Sequence, residues 1–112
     1  MACTPVRLVP RATVTISERG FDPAEVQVIV GARVVFVNAG SRMPEIYSGL
    51  DHVNFECLEV DVVGLVTPAA SRQTRVFESS RACAFHDATN LGNPAFQGRI
   101  VCLLYTSDAA DE

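Results

Sequence analysis

The segment Arg81-Ala82-Cys83-Ala84-Phe85-His86-Asp87 sets a thiol and an imidazole three residues apart, just ahead of the strand-like run Gly98-Arg99-Ile100-Val101. Thiolate sulfur and imidazole nitrogen are the donors that soft and borderline metal ions prefer. A Cys-x-x-His at the mouth of a β-domain could therefore ligate a metal, with Asp87 orienting a ligand or facing solvent. Other readings of the same residues stand beside this one. Cys83, between two alanines and two residues before Phe85, also fits a buried thiol, since free Cys is among the most buried residue types. It could equally pair with Cys57 in a disulfide, and a sulfur so engaged is no thiolate ligand. His86-Asp87 also fits a surface pair at a strand end. Glu56, Glu59 and Asp61 flank Cys57 and read as a solvated loop face.

Strands must position these residues. Residues 12–17 alternate Thr with β-branched apolar side chains, the pattern of a half-buried strand. Gly20-Phe21-Asp22-Pro23 is turn chemistry. Val26, Val28 and Val30 share one face, Gly31-Ala32 reads as a tight connection, and Val34 to Val37 is a continuous apolar run expected of a strand covered on both faces. From Ala39 to Asp61 periodicity fails, and connections this long are usually functional or disordered. Val62 to Val66 reads as a short strand, Thr67 to Ala70 as a turn, and Ser71 to Phe77 alternates again. No helix of three turns is supported. Short strands separated by turn signals predict an all-β, single-domain β-sandwich.

Size and charge narrow the function. The chain has 112 residues, 48% of them hydrophobic, and a mean hydropathy of +0.21, which suits a folded domain. No apolar run approaches the roughly 20 residues that span a bilayer. The net charge is −4, and the nine basic residues, all Arg, read as scattered, so nucleic-acid binding is not expected. A Cys and His three residues apart do not resemble a protease pair, and no Ser-nucleophile motif, phosphate loop or His-Glu-x-x-His is present, so the chain reads as a non-enzyme. Residues 102–112 resemble the translation of a transposase sequencing adapter, and setting them aside leaves nine bases against ten acids. The domain is accordingly placed at 12–101, after a leader at 1–11. Ala2-Cys3 followed by Pro5 resembles a lipoprotein junction, with Cys3 as a possible lipid anchor.

The order of strands and turns over residues 12–101 resembles the cupredoxins, the small blue-copper proteins, and implies a Greek-key β-sandwich. Arg81-x-Cys83-x-Phe85-His86-Asp87 is similar to a segment of secreted bacterial cupredoxin-like proteins, which also carry a Cys where Cys57 stands. Their Arg-Pro-His-Glu-Ile segment is similar to Arg42-Met43-Pro44-Glu45-Ile46, so Pro44 stands where the resemblance implies the first imidazole. Phe96 stands where it implies the axial Met. On this likeness Cys83 and His86 would bind one copper ion, with the shell completed by Glu45, by His52 or by the thioether of Met43. The implied work is single-electron transfer or copper carriage by an exported monomer, periplasmic or extracellular, with a redox partner protein or a copper donor or acceptor. The alternative is a metal-free binding or structural module on the same fold, cross-linked through Cys57 and Cys83.

Overall fold

In the computed structural model of the chain, residues 9–50 and 56–104 are described. Strand β1 runs Val9–Ser17 and turns through Gly20, at φ +135°, into β2, Gly20–Asp22. A Cβ at Gly20 would also lie 2.1 Å from the Ala95 carbonyl oxygen, so glycine is required there on two grounds.

The next element departs from expectation. Gly31-Ala32 makes no turn between strands, because β3 is one strand of 14 residues, Glu25–Asn38. Gly31 adopts φ +98° and the pairing with β1 slips there, from Val9 opposite Val28 to Arg11 opposite Arg33. A glycine at positive φ absorbs the extra residues as a bulge, which bends the strand instead of ending it. The first half of β3 pairs with β8 (Gln97–Leu103), and the second half pairs with β1 and with β6 (Ser71–Gln73). One bent strand thus serves both layers of the sandwich.

The segment from Ala39 to Asp61 also holds structure that its periodicity conceals. It contains β4, Glu45–Ser48, and a one-turn helix α1, Leu58–Asp61. Only Ile46 and Ser48 point inward on β4, and a serine in a core position erases the apolar alternation that marks a strand. Of the expected strand 62–66, only β5, Gly64–Leu65, is a strand, and of 71–77 only β6, although Thr74 and Phe77 continue to bond the backbone of β3 at Val34, Ala32 and Gly31. The alternation ends at Thr74, whose Oγ1 accepts the Val34 N–H at 3.0 Å. The long strand β7, Arg81–Asp87, pairs with β4 on one side and β8 on the other. Strand β8 runs to Leu103, past the expected boundary at 101, and buries Cys102.

Between the layers, four phenylalanines pack edge to face: Phe21 with Phe85 at 5.0 Å, Phe36 with Phe85 at 5.1 Å, and Phe21 with Phe96 at 5.9 Å. Val14, Val28, Val34, Ile46 and Ile100 are fully buried around them. Phe85 reaches this position because its cross-strand partner is Gly98, where a Cβ would lie 2.3 Å from the Phe85 ring and 2.4 Å from the Ala24 carbonyl oxygen. The carbonyl is held by the Arg99 N–H at 2.8 Å and cannot yield without breaking that bond. Gly98→Ala should therefore lower unfolding free energy by about 3 kcal/mol, the upper range for overpacking a core, read as a shift of the urea midpoint.

Candidate metal centre

Side chains along a strand alternate between faces, so residues three apart point in opposite directions. Strand β7 is unbroken from Arg81 to Asp87, with Cys83 opposite Ile100 and His86 opposite Gln97 on β8. Cys83, Phe85 and Asp87 thus turn toward the core, while Ala84 and His86 turn to the other face. The Cys-x-x-His of the sequence is not a loop pair but two residues divided by a strand.

On the core face Cys83 is fully buried and bonded to Cys57, which stands immediately before α1. Cys57 is set in place by Ser48, whose Oγ accepts the N–H groups of Glu56 at 2.8 Å and Cys57 at 2.9 Å. The Ser48 N–H in turn donates to Asp61 Oδ1 at 2.7 Å. Arg81 extends this clasp: its Nη2 donates to the Glu56 carbonyl at 2.9 Å, and its Nη1 lies 3.5 Å from Glu59. Residues Glu59 and Asp61, expected on a solvated loop, instead fasten the segment around α1 to β4 and β7. Donor atoms of Cys57, Glu59 and Cys83 come within 4.8 Å of one another, but both sulfurs are spent on the disulfide.

On the opposite face His86 is 1% exposed, and its Nδ1 lies 2.9 Å from the Gly49 carbonyl oxygen. A carbonyl only accepts, so Nδ1 carries the proton. Glu45 shares this face: Tyr47 is opposite His86, and Glu45 is two residues before Tyr47 on β4. The structure therefore brings Glu45 and His86 to one side of the sheet and Cys83 to the other. His52 and Cys3 lie outside the described residues. Met43, the thioether candidate, is 53% exposed.

The end of the sandwich holds the two positions at which the resemblance implied lost ligands. Pro44 and Phe96 meet there with Asp87, Arg42 and Asn38 around a cavity of about 10 Å³, room for one water at most. The Arg42 guanidinium sits 5.4 Å over the Phe96 ring, a cation–π contact that closes the surface. Asn38 holds the loop beneath it, donating to the carbonyls of Arg42 at 2.7 Å and Val66 at 2.9 Å and accepting from the Gly40 N–H at 2.9 Å. Asp87 is buried with its acceptors filled: Glu45 N–H at 3.1 Å, Thr89 N–H at 2.9 Å, Thr89 Oγ1 at 2.7 Å and Asn90 Nδ2 at 3.0 Å. It is the cap that turns β7 into the following loop. The spacing Asp87-x-Thr89 was the available signal, since Asp and Thr side chains favour such local bonds to backbone. A copper centre built on Cys83, His86 and residues at this end does not fit these residues: the sulfur is oxidised, it faces away from the imidazole, and the end of the sheet is plugged.

The fold is that of the cupredoxins. Oxidized plastocyanin from Dryopteris crassirhizoma superposes with a TM-score of 0.61 at 16% identity, covering 80% of this chain and 98% of that one. Amicyanin from Paracoccus versutus superposes at 0.59 and 14%, covering 88% and 84%. A mutant of amicyanin in its reduced Cu(I) form superposes at 0.60 and 15%, covering 85% and 81%. No family model and no curated protein matches the sequence.

Because Asp87 satisfies four part-buried donors, Asp87→Ala should cost about 2 kcal/mol of stability by leaving them without their acceptor. Asp87→Asn, which keeps an acceptor oxygen, should recover part of that loss in the same urea titration.

Proposed function

We propose that this chain is a metal-free binding module on the cupredoxin fold, working in an oxidising compartment, in which Cys83 serves as a cross-link. The observation that carries the reading is the Cys57–Cys83 disulfide, buried on the face of β7 away from His86. A disulfide is stable where the surroundings do not reduce it, which supports export of the chain. Its role follows from what it joins. The two cysteines stand 26 positions apart in sequence, and closing a loop of that size removes about 3.5 kcal/mol worth of freedom from the unfolded chain. The bond also fixes α1, a helix of four residues too short to persist alone, against the sheet.

The copper-carrying, electron-transferring reading needs Cys83 as a thiolate, so breaking this bond is its precondition. The filled end of the sandwich weighs in the same direction. Pro44 has no side-chain donor, Phe96 has none, and Arg42 brings positive charge to the place where a cation would sit.

Two measurements test the proposal. Peptide mapping without reductant should recover Cys57 and Cys83 in one linked fragment, and adding Cu(II) to that protein should produce no intense visible sulfur-to-copper band. A strong band in untreated protein that disappears in Cys83→Ser would overturn the proposal. In the doubly substituted Cys57→Ala/Cys83→Ala protein, the unfolding free energy should fall by about 3 to 4 kcal/mol, with the β-rich circular dichroism of the folded state retained.

A further inference from the structure

The arginines, scattered in sequence, are gathered by the fold. Arg33, Arg72 and Arg75 line a groove of about 670 Å³ beside α1, and Arg11 joins Arg72 around a second groove of about 270 Å³ on the same layer. Four of the nine basic residues of the chain thus share one surface, and each of the four is exposed. Arg11 and Arg33 are direct cross-strand partners on β1 and β3, an arrangement of like charges that destabilises a sheet unless something neutralises it. Among the described residues the two ion pairs are Arg81–Glu59 and Arg99–Glu25, and neither uses these four arginines. Glu59 and Glu78 also line the larger groove, and Glu59 is already committed to Arg81 at 3.5 Å.

With residues 102–112 set aside, placing four arginines and two glutamates in the grooves leaves five arginines and eight acids for the rest of the chain. An acidic partner is therefore favoured at this surface over the net-acidic remainder of the chain. The composition of the surface further selects a polypeptide. Leu58 is 74% exposed and Val62 43% exposed at the edge of the larger groove, apolar contacts that a peptide side chain can cover. Among the described residues no aromatic side chain lines either groove, so they supply no stacking platform of the kind that holds single-stranded nucleic acid. Strand β6 is exposed at all three residues and, among the described residues, pairs only with β3.

We infer that the grooves lined by Arg11, Arg33, Arg72 and Arg75 form a docking surface for an extended, carboxylate-rich segment of a partner protein. The inference gives the binding-module reading its partner class and rests on it for that role, while the surface itself involves neither Cys83 nor His86.

The test uses fluorescence anisotropy of a fluorescein-labelled oligoglutamate, with oligoglutamine and single-stranded oligothymidine as comparison probes. Oligoglutamate should bind, with affinity falling as salt shortens the screening length below about 10 Å, and oligoglutamine should not. Arg33→Glu and Arg72→Glu should each weaken binding about fivefold, as expected for reversing one charge of an exposed cluster. Arg99→Glu, which makes the same change of net charge outside the grooves, should leave it unaltered. Equal loss in all three variants, no loss in the Arg33→Glu/Arg72→Glu double variant, or oligothymidine binding as tightly as oligoglutamate would each overturn the inference. Peptide mapping of every variant verifies the disulfide, so a failure here is distinct from a failure of the cross-link reading.

Discussion

The period of two along β7 is the constraint from which the rest follows. A strand uninterrupted from Arg81 to Asp87 must send Cys83, Phe85 and Asp87 to one side and His86 to the other. Phe85 then enters the aromatic cluster between the layers, and that position is open only because its partner across the ladder is Gly98. Cys83 meets Cys57 on the same side, and Asp87 caps the exit of the strand. A break in the strand between Cys83 and His86 would free both to face one ion. The ladder with β8, continuous through Gln97, holds them apart.

The fold is shared with plastocyanin and amicyanin, and in this chain the side chains at the end of the sandwich serve packing. At the end of the sandwich Pro44, Phe96 and Arg42 form a closed contact, and Asn38 and Asp87 fasten the loops around it with every bond directed at backbone or a neighbouring hydroxyl or amide. Buried polar groups satisfied in this way hold one arrangement of loops rigidly. A fold constrains where ligands could stand, but only the side chains there decide whether a metal is held. Here they make a plug, and the surface with unmet charge lies elsewhere, on the layer of β1, β3 and β6.

Much of the β-sandwich was legible because its signals are local. The alternation in residues 12–17 and the apolar run at Val34 to Val37 mark β1 and the second half of β3. The first is half-buried as its pattern implies, whereas in the second Val34 and Phe36 are buried and Val35 and Val37 only half-buried, so that strand is covered on one face and not on both. Gly31 was misread because positive φ serves a turn and a bulge equally, and the choice depends on which strands lie alongside. Strand β4 was hidden because one of its two inward residues is Ser48, placed there to hold the backbone of Glu56 and Cys57. The basic surface was invisible for another reason: Arg11, Arg33 and Arg72 sit far apart in the chain and become neighbours only through the pairing of β1 with β3 and of β3 with β6.

By itself the sequence determined the class of fold, the core face of its periodic strands, and the short list of residues able to do metal chemistry. Periodicity and residue type are local properties, so they can be read before folding is known. The tertiary structure decided which of the listed residues meet. It oxidised Cys83 onto Cys57, set His86 and Glu45 across the sheet from that sulfur, filled the end of the sandwich with Pro44, Phe96 and Arg42, and gathered four arginines into one surface. Each of these outcomes depends on strand register and on contacts between distant segments, and a spacing of three residues has opposite meanings in a loop and in a strand.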